Sequence, residues 1–283
     1  MERETPLRFS LLFPAFILLL LVADSLIRGA IQESLRVLVS FAIAGVLYQV
    51  SRRIPDGSHR LPTLFRYVLP ILFYGACYGD IHAMLTRARP WIVDASLVRI
   101  DAAIFGRDPI AWLGNLHAPW LTDILYPCYF LYYAGMPLLL ILLWRKNMLD
   151  EMRTALAAMM IGWYGALVTY ALFPALGPQR FHPETLVHIA GALPSTAIIM
   201  KFYSATLTPA VRDCVPSMHT GVTLLTLRYS FLYHPTFFRW YLVPGIGLIF
   251  ATMYLQQHYV VDVLLGAASA GAILFLVRHF RLH

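Results

Sequence analysis

The stretch Tyr259-Val-Val-Asp262-Val-Leu-Leu-Gly-Ala-Ala-Ser-Ala-Gly-Ala-Ile-Leu-Phe-Leu-Val277 decides the fold. Its one charged side chain, Asp262, stands near its start. A helix needs about 20 apolar residues to cross the hydrocarbon of a bilayer, and this run supplies them. Runs of the same kind lie near Ser10–Ile27, Leu35–Val50, Tyr67–Tyr78, Leu121–Trp144, Thr154–Phe173, Ser217–Tyr233 and Trp240–Leu255, which makes eight expected spans with the quoted one. The composition agrees. Of the 283 residues, 59% are hydrophobic and 13% charged, whereas soluble domains carry roughly 25% charged residues. A chain so poor in charge cannot cover itself for water, which weighs heavily against the alternative of a large soluble helical protein. The formal net charge of +7 would point to nucleic acid in a soluble protein. Here the basic residues cluster at the ends of apolar runs, so they read as topology signals and lipid-headgroup contacts, and no nucleic acid is expected.

The expected fold is all-α and polytopic, one membrane domain with two accessory spans in residues 1–60 and a six-helix core in residues 61–283. The connections Ser51–Arg60 and Arg145–Arg153 are short and rich in arginine. With eight alternating spans, the preference of arginine for the inner face places both termini in the cytoplasm. The segments His82–Trp120 and Pro174–Asp213 then face outward, together with the starts of the sixth and eighth spans. The N-terminal run is expected to be a retained span, since no small-residue cleavage site follows Arg28. Within His82–Trp120, the spacing of Val93, Leu97, Ile100 and Ile104 predicts an interfacial amphipathic helix over Val93–Phe105, closed by the turn Gly106-Arg107-Asp108-Pro109. Cys77, Cys128 and Cys214 form no disulfide framework and no metal motif. The sequence fixes no oligomeric state.

Two short motifs carry chemistry. In His258-Tyr-Val-Val-Asp262, helical i and i+4 positions would share a face. The carboxylate could then hold one imidazole nitrogen and leave the other free to attack. The alternative is an interfacial histidine beside an aspartate that helps to start a helix. In Cys214-Val-Pro-Ser217-Met-His219-Thr-Gly221, Pro216 suits a first helical turn, and a helix N-terminus offers unpaired N–H groups to an anion. Ser217 adds a hydroxyl and His219 a general acid; the alternative is a capping serine and a stray histidine. Arg180, Arg212 and Lys201 are the basic residues of the outward loop, Arg180 the foremost candidate for holding phosphate. Gln179, Gln256 and Gln257 are polar enough to reach a phosphate or to lie at the interface, and Cys214 reads as packing. No further histidine or carboxylate stands at ligand spacing, so no metal and no cofactor are expected.

Taken together, Pro216-Ser217-x-His219 followed by His258-x-x-x-Asp262, each histidine opening an apolar span, resembles the type 2 phosphatidic acid phosphatase family. The resemblance runs from about Leu64 to the C-terminus. It implies a six-helix core, a phosphohistidine on His258, and the orienting and proton-donating roles of Asp262 and His219. The family's phosphatases carry Ser-Arg six positions before the nucleophile, where this chain has Ala251 and Thr252, and a lysine where this chain has Phe173. The family's first motif is a lysine, six residues, then Arg-Pro; His82 to Arg89-Pro90 matches this spacing with histidine for lysine, but lies too early in the chain for the family order. Pro-Ser-Met-His219-Thr-Gly, His258-Tyr-x-x-Asp-Val263 and Gly177-Pro-Gln-Arg180 look like inositol phosphorylceramide synthases, with weaker support from Asp94–Pro109. That likeness implies a lipid phosphotransferase with a phospholipid donor and ceramide or another lipid alcohol as acceptor. A phosphatase acting on phosphatidate or an isoprenoid phosphate is the alternative. A transporter or scaffold is the third reading, and chemistry gathered at one mouth rather than along a conduit counts against it.

Overall fold

The computed structural model describes residues 5–52, 60–183, 189–206 and 211–280. These form twelve helices and no strand: α1 (Thr5–Ile27), α2 (Ile31–Arg52), α3 (Arg60–Ala88), α4 (Asp94–Phe105), α5 (Pro109–Gly114), α6 (Pro119–Arg145), α7 (Leu149–Leu172), α8 (Pro178–Phe181), α9 (Pro194–Thr206), α10 (Met218–Tyr233), α11 (Pro235–Tyr254) and α12 (Val260–His279). Most of the connection Ser51–Arg60 lies outside the described residues.

All eight apolar runs are helical. Six of the helices are long and apolar enough to cross a membrane: α2, α3, α6, α7, α11 and α12. The chain is therefore an all-α integral membrane protein. The third expected span is longer than the run Tyr67–Tyr78, because α3 continues to Ala88. The polar residues of this extension have partners: Asp80 pairs with Arg36 of α2 at 3.5 Å, and the His82 ring packs on Tyr78.

α1, whose apolar stretch is Leu12–Ile27, and α10, with 16 residues, fall short. At about 1.5 Å per residue α10 measures roughly 24 Å, less than the ~30 Å of hydrocarbon. It need not span alone, because it is packed among α6, α7, α11 and α12. That shelter from lipid also explains its buried Thr220, Thr223, Thr226 and Ser230. Thr226 and Ser230 donate their hydroxyls to the carbonyls of Val222 and Leu227 at 2.8 and 3.0 Å, so neither is left unsatisfied in an apolar interior. α1 packs on α7 and α3, and its Leu18, Leu21 and Val22 join the same apolar core as Leu156, Met159 and Tyr164 of α7.

Where α10 and α12 cross, Gly266 admits the backbone of the other helix: a Cβ there would meet the Ser217 carbonyl oxygen at 2.2 Å. Small residues at such crossings let membrane helices close on backbone contacts. Gly266→Val is expected to cost at least about 1–3 kcal/mol through overpacking and to reduce activity with it, since Ser217 leads directly into His219. Thermal unfolding in detergent, read beside turnover, checks this.

The alternating directions of α7, α10, α11 and α12 bring Phe173, Ser217, Leu255 and Tyr259 to one end of the bundle, opposite the α6–α7 and α10–α11 connections. Loops knit that end together. The Ala175 carbonyl accepts from Cys214 N–H at 3.2 Å, Pro174 from Val93 at 2.9 Å, and Gln256 from Gln179 at 2.9 Å. α4 lies here, but its amphipathicity is the reverse of a simple interfacial helix. Ile100, Ile104 and Phe105 are exposed, while Asp94, Leu97 and Asp101 are buried. The acidic face turns inward because unpaired backbone N–H groups of the loops wait there.

Candidate active site

Ser217 is the N-cap of α10, its hydroxyl accepting the Thr220 N–H at 3.4 Å. Pro216 therefore precedes the helix rather than opening it, and His219 sits in the first turn. At the start of α12, the Asp262 carboxylate folds back to accept the Tyr259 N–H at 3.2 Å. The Ser217 N–H donates to the Asp262 carbonyl at 3.1 Å, which fixes the two helix starts against each other.

His258 does not lie on α12 itself. It ends the turn after α11, where its N–H and that of Gln257 donate to the Thr252 carbonyl at 3.0 and 2.9 Å. From there its Nδ1 lies 3.3 Å from Asp262 Oδ2, and its Nε2 lies 3.0 Å from His219 Nδ1. An ionised carboxylate can only accept. The proton of a neutral His258 therefore belongs on Nδ1, which leaves the Nε2 lone pair directed at His219. His219 Nδ1 must then be the donor of the central hydrogen bond. Its ring is held between Tyr129 and Tyr132, with centroids at 4.6 and 4.1 Å, and the Tyr132 hydroxyl accepts from Trp163 Nε1 at 2.9 Å. The outcome is a linear hydrogen-bonded relay of His219, His258 and Asp262.

The same carboxylate takes a third partner. Cys214 Sγ donates to Asp262 Oδ2 at 2.6 Å and lies 3.6 Å from His258 Nδ1. Burial and then the neighbouring Asp262 push the Cys214 thiol well above its ordinary pKa, so it remains a protonated donor. Cys214, His258 and Asp262 are, among the described residues, the one group that could hold a metal ion, with ligand atoms within 4.8 Å of one another. In this arrangement those atoms are bonded to each other through hydrogens.

A family model described as the PAP2 superfamily matches residues 95–276, from the first turn of α4 to the last of α12. The chain belongs to the PAP2 superfamily. It is thus a membrane phosphatase or phosphotransferase, with substrates drawn from lipids of the bilayer. No curated protein and no solved structure matches it beyond this.

In this PAP2 superfamily member the expected phosphate ligands are spread unevenly. Gln179 and Gln257 meet, Gln257 Nε2 donating to Gln179 Oε1 at 2.5 Å, close to the His258 turn. Gly177 makes that approach possible: its φ is +88°, and a Cβ would meet the Gln257 carbonyl oxygen at 2.5 Å. Arg180 donates to the Val211 carbonyl at 2.8 Å and faces Asp213 at 3.8 Å. Arg212 donates to the carbonyls of Arg89 and Trp91 at 2.7 and 3.1 Å, so it serves as a brace between loops. The Ser217 hydroxyl is fully buried as a cap. Lys201 stands exposed on α9, which packs on α6. The two missing cations have no replacement in place: Thr252 is buried, its hydroxyl donating to the Ile249 carbonyl, and Phe173 is 52% exposed.

Sequence reasoning missed the two carboxylates of α4. Asp94 accepts from the N–H groups of Leu176 and Gly177 at 3.0 and 2.9 Å and from the Tyr259 hydroxyl at 3.0 Å. Asp101 accepts from Val260 and Val261 N–H at 2.8 Å each, capping α12 from another helix. Cys214 was also missed as a partner of the site. The only prior signal was two aspartates seven residues apart on one helical face.

Proposed function

We propose that the chain is a phosphotransferase that moves a phosphorylated headgroup from a phospholipid to a lipid alcohol, in the manner of inositol phosphorylceramide synthases, through a phosphohistidine on His258. The observation that carries the histidine chemistry is the continuous relay His219–His258–Asp262. His258 Nε2 attacks phosphorus while the alkoxide leaves and takes the proton from His219 Nδ1. His219, now neutral, removes the proton from the acceptor hydroxyl as its oxygen attacks the phosphohistidine, and His258 is regenerated. A phosphoryl group cannot sit within the 3.0 Å between the two nitrogens, so substrate binding parts the rings and replaces their mutual hydrogen bond.

Transfer rather than hydrolysis is favoured by subtraction. Thr252 and Phe173 supply no cation, and Arg180 shares its charge with Asp213. Such a site suits a singly charged diester better than a phosphomonoester dianion. The arginine-rich connections favour an extracytoplasmic relay with both termini in the cytoplasm, and in this reading residues 61–283 act as the catalytic core to which the first two spans are added. Mass spectrometry of products from the purified protein decides, with phospholipid diesters, phosphatidate and an isoprenoid phosphate offered with and without ceramide. Rapid release of phosphate from the monoesters with no diester consumed would leave the phosphatase reading standing instead. Exhaustive chelation is expected to leave turnover intact, because His258 Nδ1 is needed by Asp262. Loss of activity that a single divalent ion restores would refute this.

A further inference from the structure

Beside the relay lies a second polar cluster, in which Arg180 joins Asp213, Tyr78 and His82, three residues that take no step in the proposed reaction. Asp213 accepts a hydrogen bond from the Tyr78 hydroxyl and faces Arg180 NH2 at 3.8 Å. It remains partly exposed, with 24% of its side chain accessible. The Tyr78 ring packs tilted against His82 with centroids 4.4 Å apart, and the His82 ring also approaches Tyr170 at 5.9 Å. Tyr170 in turn reaches the Pro216 carbonyl at 3.4 Å, one residue from the Ser217 cap. His82 is 1% exposed, and its Nε2 has no hydrogen-bond partner among the described residues. Burial by itself would raise the Asp213 carboxyl. His82, the Tyr78 hydroxyl, Arg180 and His219 act together against that and hold it below the ordinary carboxylate range. The group therefore stays ionised at neutral pH, within electrostatic reach of the proton donor.

An ionised carboxylate beside the foremost phosphate-binding candidate is costly for an enzyme that must hold a free phosphate dianion, since like charges at short range in a half-buried site repel strongly. It suits a site that must turn such dianions away and receive a hydroxyl. We propose that Asp213 is the specificity determinant of this enzyme: it offsets Arg180 so that phosphomonoester dianions are disfavoured, and with His82 it forms a subsite for a neutral hydroxyl of the donor headgroup or the acceptor alcohol. That hydroxyl donates to Asp213 and accepts from His82 Nε2. The inference rests on the relay proposed above but not on the identity of the acceptor. It uses negative selection, a repulsive element against the wrong substrate, as much as attraction to the right one.

The test measures kcat/KM for phosphatidate and for a phospholipid diester, and the inhibition constant of inorganic phosphate, in the wild type, Asp213→Asn and Tyr78→Phe. Asp213→Asn should raise the monoester-to-diester ratio roughly tenfold and tighten inhibition by phosphate. A variant that is merely damaged loses both activities together. Tyr78→Phe keeps the charge but releases the carboxylate oxygen toward Arg180, so phosphate inhibition should weaken. An unchanged ratio and unchanged phosphate inhibition in a folded Asp213→Asn would overturn the proposal. Should that variant fail to fold, unchanged or tighter phosphate inhibition in Tyr78→Phe overturns it. A wild type that consumes no diester would instead remove the transferase reading, while the phosphate measurements still decide the role of Asp213.

Discussion

Replacing His258 by alanine is expected to bring turnover to the assay floor, a loss on the order of 10⁴-fold or more, as for other covalent nucleophiles. No acid-labile, base-stable phosphoenzyme should form. The size of the effect follows from geometry. His258 Nε2 is the lone pair the relay directs outward, and its only neighbour in the relay is the proton donor His219, 3.0 Å away. His219 cannot take over as nucleophile, because the orienting carboxylate bonds to His258 and not to it. The fold should survive, since the turn at residue 258 is held by backbone bonds to the Thr252 carbonyl rather than by the imidazole. Rapid-quench labelling with a radioactive donor, followed by acid and base treatment, reads the intermediate directly. Near-normal activity in this variant would remove the nucleophile assignment outright.

Asp262→Asn should cost on the order of 10²–10⁴ in rate with the fold retained. An asparagine amide can donate where the carboxylate only accepted. If it donates to His258 Nδ1, the ring proton moves to Nε2, the nucleophilic lone pair is lost, and His219 Nδ1 meets another N–H. Cys214 adds to the effect, because its thiol donates to the same oxygen and would compete for the amide carbonyl. The pH profile of kcat/KM should lose its basic plateau, which a purely structural defect would not do. Unchanged kcat/KM in Asp262→Asn would sink the orienting role.

Much of this molecule was legible in its sequence, and the reasons differ from part to part. Lipid leaves no alternative to apolar helices, so the runs at Leu121–Trp144, Thr154–Phe173 and Tyr259–Val277 declare themselves. Charge hides less well: Asp80 ends the third apolar run on paper, although α3 continues past it to Ala88, pairing Asp80 with Arg36 of α2 and burying His82 against its own Tyr78. His219, His258 and Asp262 stood out because ionisable groups at the start of apolar spans are rare. The i, i+4 reading named a pair that does meet, but by another route, since His258 precedes α12 and Asp262 reaches back to it. What remained hidden depends on distant pairing. Nothing local marks Cys214 as a donor to Asp262, or says that Asp94 and Asp101 face inward, or that Arg180 has a carboxylate beside it. Each of these is a contact between segments that only the closed bundle brings together.

The two aspartates of α4 have a consequence for the making of the protein. Asp94 finds Leu176 and Gly177 82 and 83 residues on, but its Tyr259 partner and both N–H partners of Asp101 lie 159 to 165 residues further along the chain. At typical synthesis rates, on the order of ten seconds or more separate the emergence of α4 from that of Tyr259–Val261. Until then Asp101 lacks its N–H partners and Asp94 the Tyr259 hydroxyl, and a growing chain that has completed α10 carries His219 without His258 and Asp262 beside it. Under the proposed relay, catalytic power would arrive only with the insertion of α12, and a half-made copy lying in the membrane would spare the lipids around it.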